Sequence, residues 1–69
     1  MEFKLEGETY IELKNLLKAS GLCETGGSAK VAIGEGRVTV DGEIEMRKGC
    51  KIKSGQKVVF DGKAITVAD

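Results

Sequence analysis

Hydrophobic positions change their spacing at Gly36. Before it, Ala29, Ala32 and Ile33 recur at helical intervals; after it, Val38 and Val40 alternate with Arg37 and Thr39, the period of a half-buried strand. Asp41-Gly42 follows as a two-residue hairpin signal, because a type I′ turn needs positive φ at both central positions. The stretch Thr25–Ile44 thus predicts a helix joined to a β-hairpin, with Val38, Val40 and Ile44 facing inward and Arg37, Thr39, Glu43 and Glu45 facing out.

The flanking chain reads as what packs on that unit. Glu2–Glu6 alternates, which predicts a short strand with Phe3 and Leu5 inward, ended by Gly7. Thr9-Tyr10-Ile11-Glu12 has the spacing of a capping box, in which hydroxyl and carboxylate each take a backbone N–H of the other residue. A helix started there places Tyr10, Leu13, Leu16, Leu17 and Ser20 on one face and stops at Gly21. Leu22 and Cys23 return to the core. Thr25 is the expected N-cap of the second helix. Lys51-Ile52-Lys53 predicts a short extended segment, Ser54-Gly55 a turn, and Gln56–Phe60 a central strand. Asp61-Gly62 repeats the hairpin signal before a last strand over 63–67. The fold class expected is α+β: two helices on a small, mostly antiparallel sheet, with short strands at both ends. Val31 falls outside the apolar face of its helix and finds no role in this pattern.

Sixty-nine residues make one domain, 1–69, too small to enclose a deep pocket. No apolar run is long enough to span a membrane, and no signal-peptide pattern follows Met1, so a cytoplasmic protein with no membrane contact is expected. Two cysteines, Cys23 and Cys50, are open to either pairing or packing as free thiols; neither has the spacing of a zinc site. There is no histidine, the commonest general acid and base near neutral pH. No paired carboxylates, activated serine or phosphate-binding lysine loop takes its place, so neither catalysis, a metal nor a cofactor is expected.

Formal charge is zero, from 11 basic and 11 acidic side chains. Its distribution is uneven. From Arg47 to Lys57 there are five basic residues (Arg47, Lys48, Lys51, Lys53 and Lys57) and no acid. That run predicts an electropositive face on a neutral protein. Gly26-Gly27, at the start of the second helix, is open to two readings. One is a flexible lead-in. The other is a helix N-terminus stripped of side chains, where free N–H groups favour a phosphate.

The runs Glu35-Gly36-Arg37-Val38-Thr39-Val40-Asp41-Gly42 and Lys51-Ile52-Lys53-Ser54-Gly55-Gln56, with Leu16-Leu17, Gly21-Leu22, Ala29-Lys30 and Ile33, resemble the RNA-binding domain of ribosomal small-subunit protein four. This S-four domain is also called the αL motif, and the resemblance covers residues 12–60. It implies two helices against a short sheet. It also implies RNA binding through the second helix, the hairpin strand and the basic loop after it. Carried over by position, Lys30 matches a basic site on the second helix, Arg37 the arginine of the G-R-V run, and Lys51 and Lys53 the basic residues before the S-G turn. The chain departs from the pattern at Glu12 and Gly26, where the family often has arginine. It departs again at Lys14, where an acid is usual, and at Gly34, where a basic residue is frequent.

Lysines and arginines on one face release counterions from RNA, which supplies sequence-independent affinity. With three aromatics, two of them at inward strand positions, no stacking platform is expected. The partner expected is therefore structured RNA, ribosomal or transfer, read by shape and phosphate contacts and bound by a monomer. A protein partner, with the domain as an adaptor, is the competing expectation.

Overall fold

The computed structural model describes residues 1–69. The elements in order are β1 (Glu2–Lys4), β2 (Ile11–Glu12), α1 (Leu13–Ala19), α2 (Gly26–Gly34), β3 (Val38–Val40), β4 (Glu43–Ile44), β5 (Lys51–Ile52), β6 (Lys57–Phe60) and β7 (Lys63–Ala68). A five-stranded sheet runs β1-β7-β6-β3-β4, and β2 pairs with β5 in a separate two-stranded sheet. All pairings are antiparallel except β1 with β7, so the main sheet is mixed.

One face of the main sheet carries the core. Val38, Val58, Phe60, Ile65 and Val67 meet Leu13, Leu16 and Leu17 of α1 and Ala29, Ala32 and Ile33 of α2 in one buried cluster. Leu5, Cys23 and Ile52 complete it, and every buried residue is apolar. Burying each large side chain contributes roughly 1.5–3 kcal/mol relative to exposure. Cys23 and Cys50 are both free thiols. The helices thus cover one face of the sheet and leave the other bare.

The predicted turns form as the residue types require. Asp41 and Gly42 have φ of 52° and 87°, and Asp61 and Gly62 repeat the conformation at 54° and 76°. The first turn is fixed from outside as well. Asp41 Oδ1 accepts from the Lys57 N–H at 3.0 Å, and Oδ2 accepts from Gln56 Nε2 at 3.3 Å. Gln56 Oε1 in turn accepts from the Lys53 N–H at 2.8 Å. Asp41 therefore ties the β3–β4 turn to the turn that leads into β6. Thr25 caps α2 as expected, its hydroxyl accepting from the Ser28 N–H at 3.0 Å.

Three expectations are corrected. Residues 9–12 form no capping box. Glu12 is extended, at φ −69° and ψ 143°, and makes no side-chain cap. The reason is tertiary: Ile11 and Glu12 pair with Ile52 and Lys51, and α1 starts only after them. With α1 starting at Leu13, its first free N–H groups take the loop's carbonyls, Leu13 donating to Cys50 at 2.8 Å and Lys14 to Lys48 at 3.1 Å. Tyr10 consequently lies off the helix and is exposed rather than buried.

Ile44 is also exposed, not inward. A two-residue loop pairs Val40 with Glu43 and Thr39 with Ile44, and paired residues share a face. Ile44 therefore belongs with Thr39 on the bare face of the sheet. The third correction follows from the same register. Glu45 donates its N–H to the Val38 carbonyl and is half-buried, on the side expected to take only apolar residues.

Candidate nucleic-acid interface

The two carbonyls that start α1 belong to the loop between β4 and β5. Their effect is to dock the Arg47–Lys51 run against the first turn of α1. Lys48 and Lys51 are exposed, and Lys14 lies beside them half-buried on α1. Lys14 was not among the expected contacts. Nothing in its local sequence marks it, because its place is set by a hydrogen bond to a loop remote along the chain. Ile52 is buried between Lys51 and Lys53, so alternation along the extended segment turns both lysines to the same side, outward.

Arg47 is held within the loop. Its Nε lies 2.9 Å from Glu45 Oε2, its Nη2 donates to Oε1 at 3.0 Å, and its backbone N–H donates to Oε2 at 3.1 Å. These bonds favour the charged carboxylate and hold Glu45 down at about 2, chiefly through the Arg47 side chain. Arg47 is pushed up by the same partner. Cys50, beside this pair, is pushed up by burial first and by its hydrogen bond to Glu45 second, which keeps the thiol protonated. The arrangement is a clasp that shapes the loop rather than a free cation.

The remaining expected residues are spread over other elements. Lys30 is exposed on α2. Arg37 follows α2, its N–H donating to the Ala32 carbonyl. Its guanidinium lies 3.4 Å from Glu35 and 5.3 Å over the Phe60 ring. Gly26 and Gly27 form the first turn of α2, and neither N–H has a protein acceptor. A Cβ at Gly26 would meet nothing within 4 Å, and one at Gly27 would meet only Thr25 Oγ1 at 3.8 Å, so side chains fit there. Nine residues at about 1.5 Å each separate this end of α2 from the end next to Arg37, so one phosphate does not reach both. Lys57 pairs with Thr66 on the bare face of the sheet, away from the helices.

The structure therefore joins Lys48 to Lys14 by a backbone hydrogen bond, leaves Lys48, Lys51 and Lys53 exposed, and holds Arg47 in an ion pair with Glu45. It leaves Lys30, Arg37 and the Gly26-Gly27 turn along α2, and Lys57 on another surface. No helix is long and apolar enough to cross a membrane.

The sequence profile of the S4 domain matches residues 3–68. The chain belongs to the S4 domain family. Among its relatives is YbcJ of Escherichia coli (strain K12), 49% identical over 65 residues that cover 94% of this chain and 93% of YbcJ. YbcJ of Shigella flexneri matches equally. The solution structure of E. coli YbcJ, described as revealing an alfaL motif involved in RNA-binding, superposes with a TM-score of 0.77 at 47% identity, over 99% of this chain and 86% of that one. The 30S ribosomal protein S4e of Thermoplasma acidophilum shares the fold at a TM-score of 0.59 and 19% identity. That match takes in 81% of this chain and 29% of that one. The expected family and the α+β architecture are thus both found.

Proposed function

We propose that this protein is a non-catalytic, cytoplasmic, monomeric RNA-binding module that recognises structured RNA, ribosomal or transfer. The observation that carries the reading is the docking of the 47–51 loop on α1, which bonds the backbone of Lys14 to that of Lys48 and leaves Lys48 and Lys51 exposed in a chain of neutral charge. Its membership of the S4 domain family and its likeness to YbcJ, whose motif is described as involved in RNA-binding, support the same reading.

In this reading Lys48, Lys51 and Lys53 contact phosphates, with Lys14 beside them. Lys30 and Arg37 extend the contact along α2, and the N–H groups of Gly26 and Gly27 take a phosphate at its far end. Arg47 keeps the loop in shape through Glu45, and Lys57 is peripheral. Cross-linking in cells, followed by sequencing of the bound RNA, tests the proposal. Enrichment of ribosomal or transfer RNA stems is the expected result; no RNA enriched above an uncross-linked control contradicts it.

A protein-interaction adaptor is the second reading. It is favoured by the row Ile44, Thr39, Val59 and Ala64, which crosses four strands on the bare face with Ile44 64% exposed. A partner retained after nuclease treatment and lost on Ile44→Asp would support it.

A further inference from the structure

Tyr10 is the only aromatic residue without a place in the core. Phe60 is buried within the main cluster and Phe3 packs against it, whereas Tyr10 is 41% exposed and does neither. Its exposure follows from the pairing of β2 with β5, which keeps residues 11–12 extended and leaves Tyr10 ahead of the small sheet. The same pairing puts Lys51 beside it, with the ammonium 5.0 Å from the ring centroid. A flat ring is thus set at the edge of the basic loop.

An open concavity of about 320 Å³ lies next to the ring, lined by Glu8, Thr9, Tyr10, Ile11, Glu12 and Asn15. Its polar groups do not suit phosphate. Glu8 and Glu12 bring two carboxylates, and Asn15 Nδ2 already donates to Glu12 Oε1 at 3.4 Å. Carboxylates accept hydrogen bonds from the amino edges of bases, and an aromatic face stacks on any base. A lysine over the ring suits the backbone that flanks a stacked base.

We propose that Tyr10 and the concavity beside it form a binding site for one unpaired nucleobase, next to the phosphates held by the 47–53 lysines. The proposal rests on the RNA-binding reading and extends it. The preferred ligand is then a stem carrying a bulged or looped-out nucleotide rather than an uninterrupted duplex. The base leaves its stack and lies on the tyrosine, its donor edge toward Glu8 and Glu12. The lysines keep the flanking stem in place.

The experiment compares two RNA hairpins that differ by a single bulged guanosine, measured by fluorescence anisotropy with the full chain and with Tyr10→Ala and Tyr10→Phe. The ring is exposed, and circular dichroism checks that each variant is folded. The bulged hairpin is expected to bind the wild-type chain roughly tenfold tighter. Tyr10→Ala is expected to abolish that difference, bringing the ratio of the two affinities to about one, and Tyr10→Phe to keep it. Tyr10 is the sole tyrosine, and there is no tryptophan, so its ring resonances are unambiguous in an NMR titration. They are expected to move upfield with the bulged hairpin and to stay in place with the duplex. Equal affinity for the two hairpins, or an equal loss on both with Tyr10→Ala, overturns the base site while leaving RNA binding intact. Failure of the wild-type chain to bind either hairpin overturns both readings together.

Discussion

The backbone N–H of Lys14 donates to the carbonyl of Lys48 over 3.1 Å. This bond and its neighbour from Leu13 to Cys50 start α1 and hold the basic loop in one place. Local folding and the candidate interface therefore share the same atoms. A change that frees the loop unties the helix start as well. Gly49→Pro puts proline at the third position of the turn closed by the Cys50 N–H on the Arg47 carbonyl, which forces Lys48 out of its turn conformation and displaces the acceptor carbonyls. Slowed amide exchange at Leu13 and Lys14 in the wild-type chain, lost in this variant, is the expected signature.

Within the loop, Arg47 and Lys48 carry equal charge and different work. Arg47 is engaged by Glu45 through two side-chain bonds, while Lys48 has no protein acceptor. Lys48→Ala is expected to weaken RNA binding by about the value of one phosphate contact and to lower the salt slope by about 0.9. Arg47→Lys loses the bidentate geometry while keeping the charge. It is expected to broaden the loop's NMR resonances and to leave the salt slope as it was.

The clasp has a pH dependence with a definite sign. Glu45 is held down at about 2 in the folded chain, from an ordinary value of 4.5. Its contribution to stability is therefore complete above about pH 4.5 and is lost as pH falls through about 2. An NMR titration of the Glu45 carboxyl is expected to give a midpoint near the lower value. Arg47→Ala is expected to return that midpoint toward the ordinary one.

Asp41 joins two turns through its carboxylate while sitting at positive φ. Asp41→Ala loses both acceptors and strains the turn. A loss of about 1–3 kcal/mol is expected in urea unfolding. Asp41→Asn keeps one acceptor and tolerates the turn conformation, so its loss is expected to be smaller.

Much of this fold was legible because its turns are spelled out locally. Asp41-Gly42, Asp61-Gly62 and the Thr25 cap each depend on residues within a few positions. Ile44 is legible too: the two-residue Asp41-Gly42 turn pairs it with Thr39 on the outward face, whereas simple alternation carried through the turn puts it inward. The missing capping box was not legible. Thr9 and Glu12 have the right spacing, and only the pairing with Lys51 and Ile52, far along the chain, keeps them extended. The site divides the same way. The cluster of charge after Arg47 is visible as a run of letters. The neutralisation of Arg47, the approach of Lys14 and the cation–π contact of Lys51 with Tyr10 are tertiary facts with no local mark.

The central claim is that the docked loop grips RNA through its free lysines. The most direct measurement is the salt dependence of affinity for one structured RNA, with the wild-type chain and with Lys48→Glu, Lys51→Glu and Lys53→Glu combined. The four lysines on the loop side, Lys14, Lys48, Lys51 and Lys53, are expected to contribute a fall in wild-type affinity of about the third to fourth power of salt concentration. The triple variant is expected to lose most of that slope and most of its affinity at low salt. An unchanged slope and affinity in the triple variant would contradict the claim.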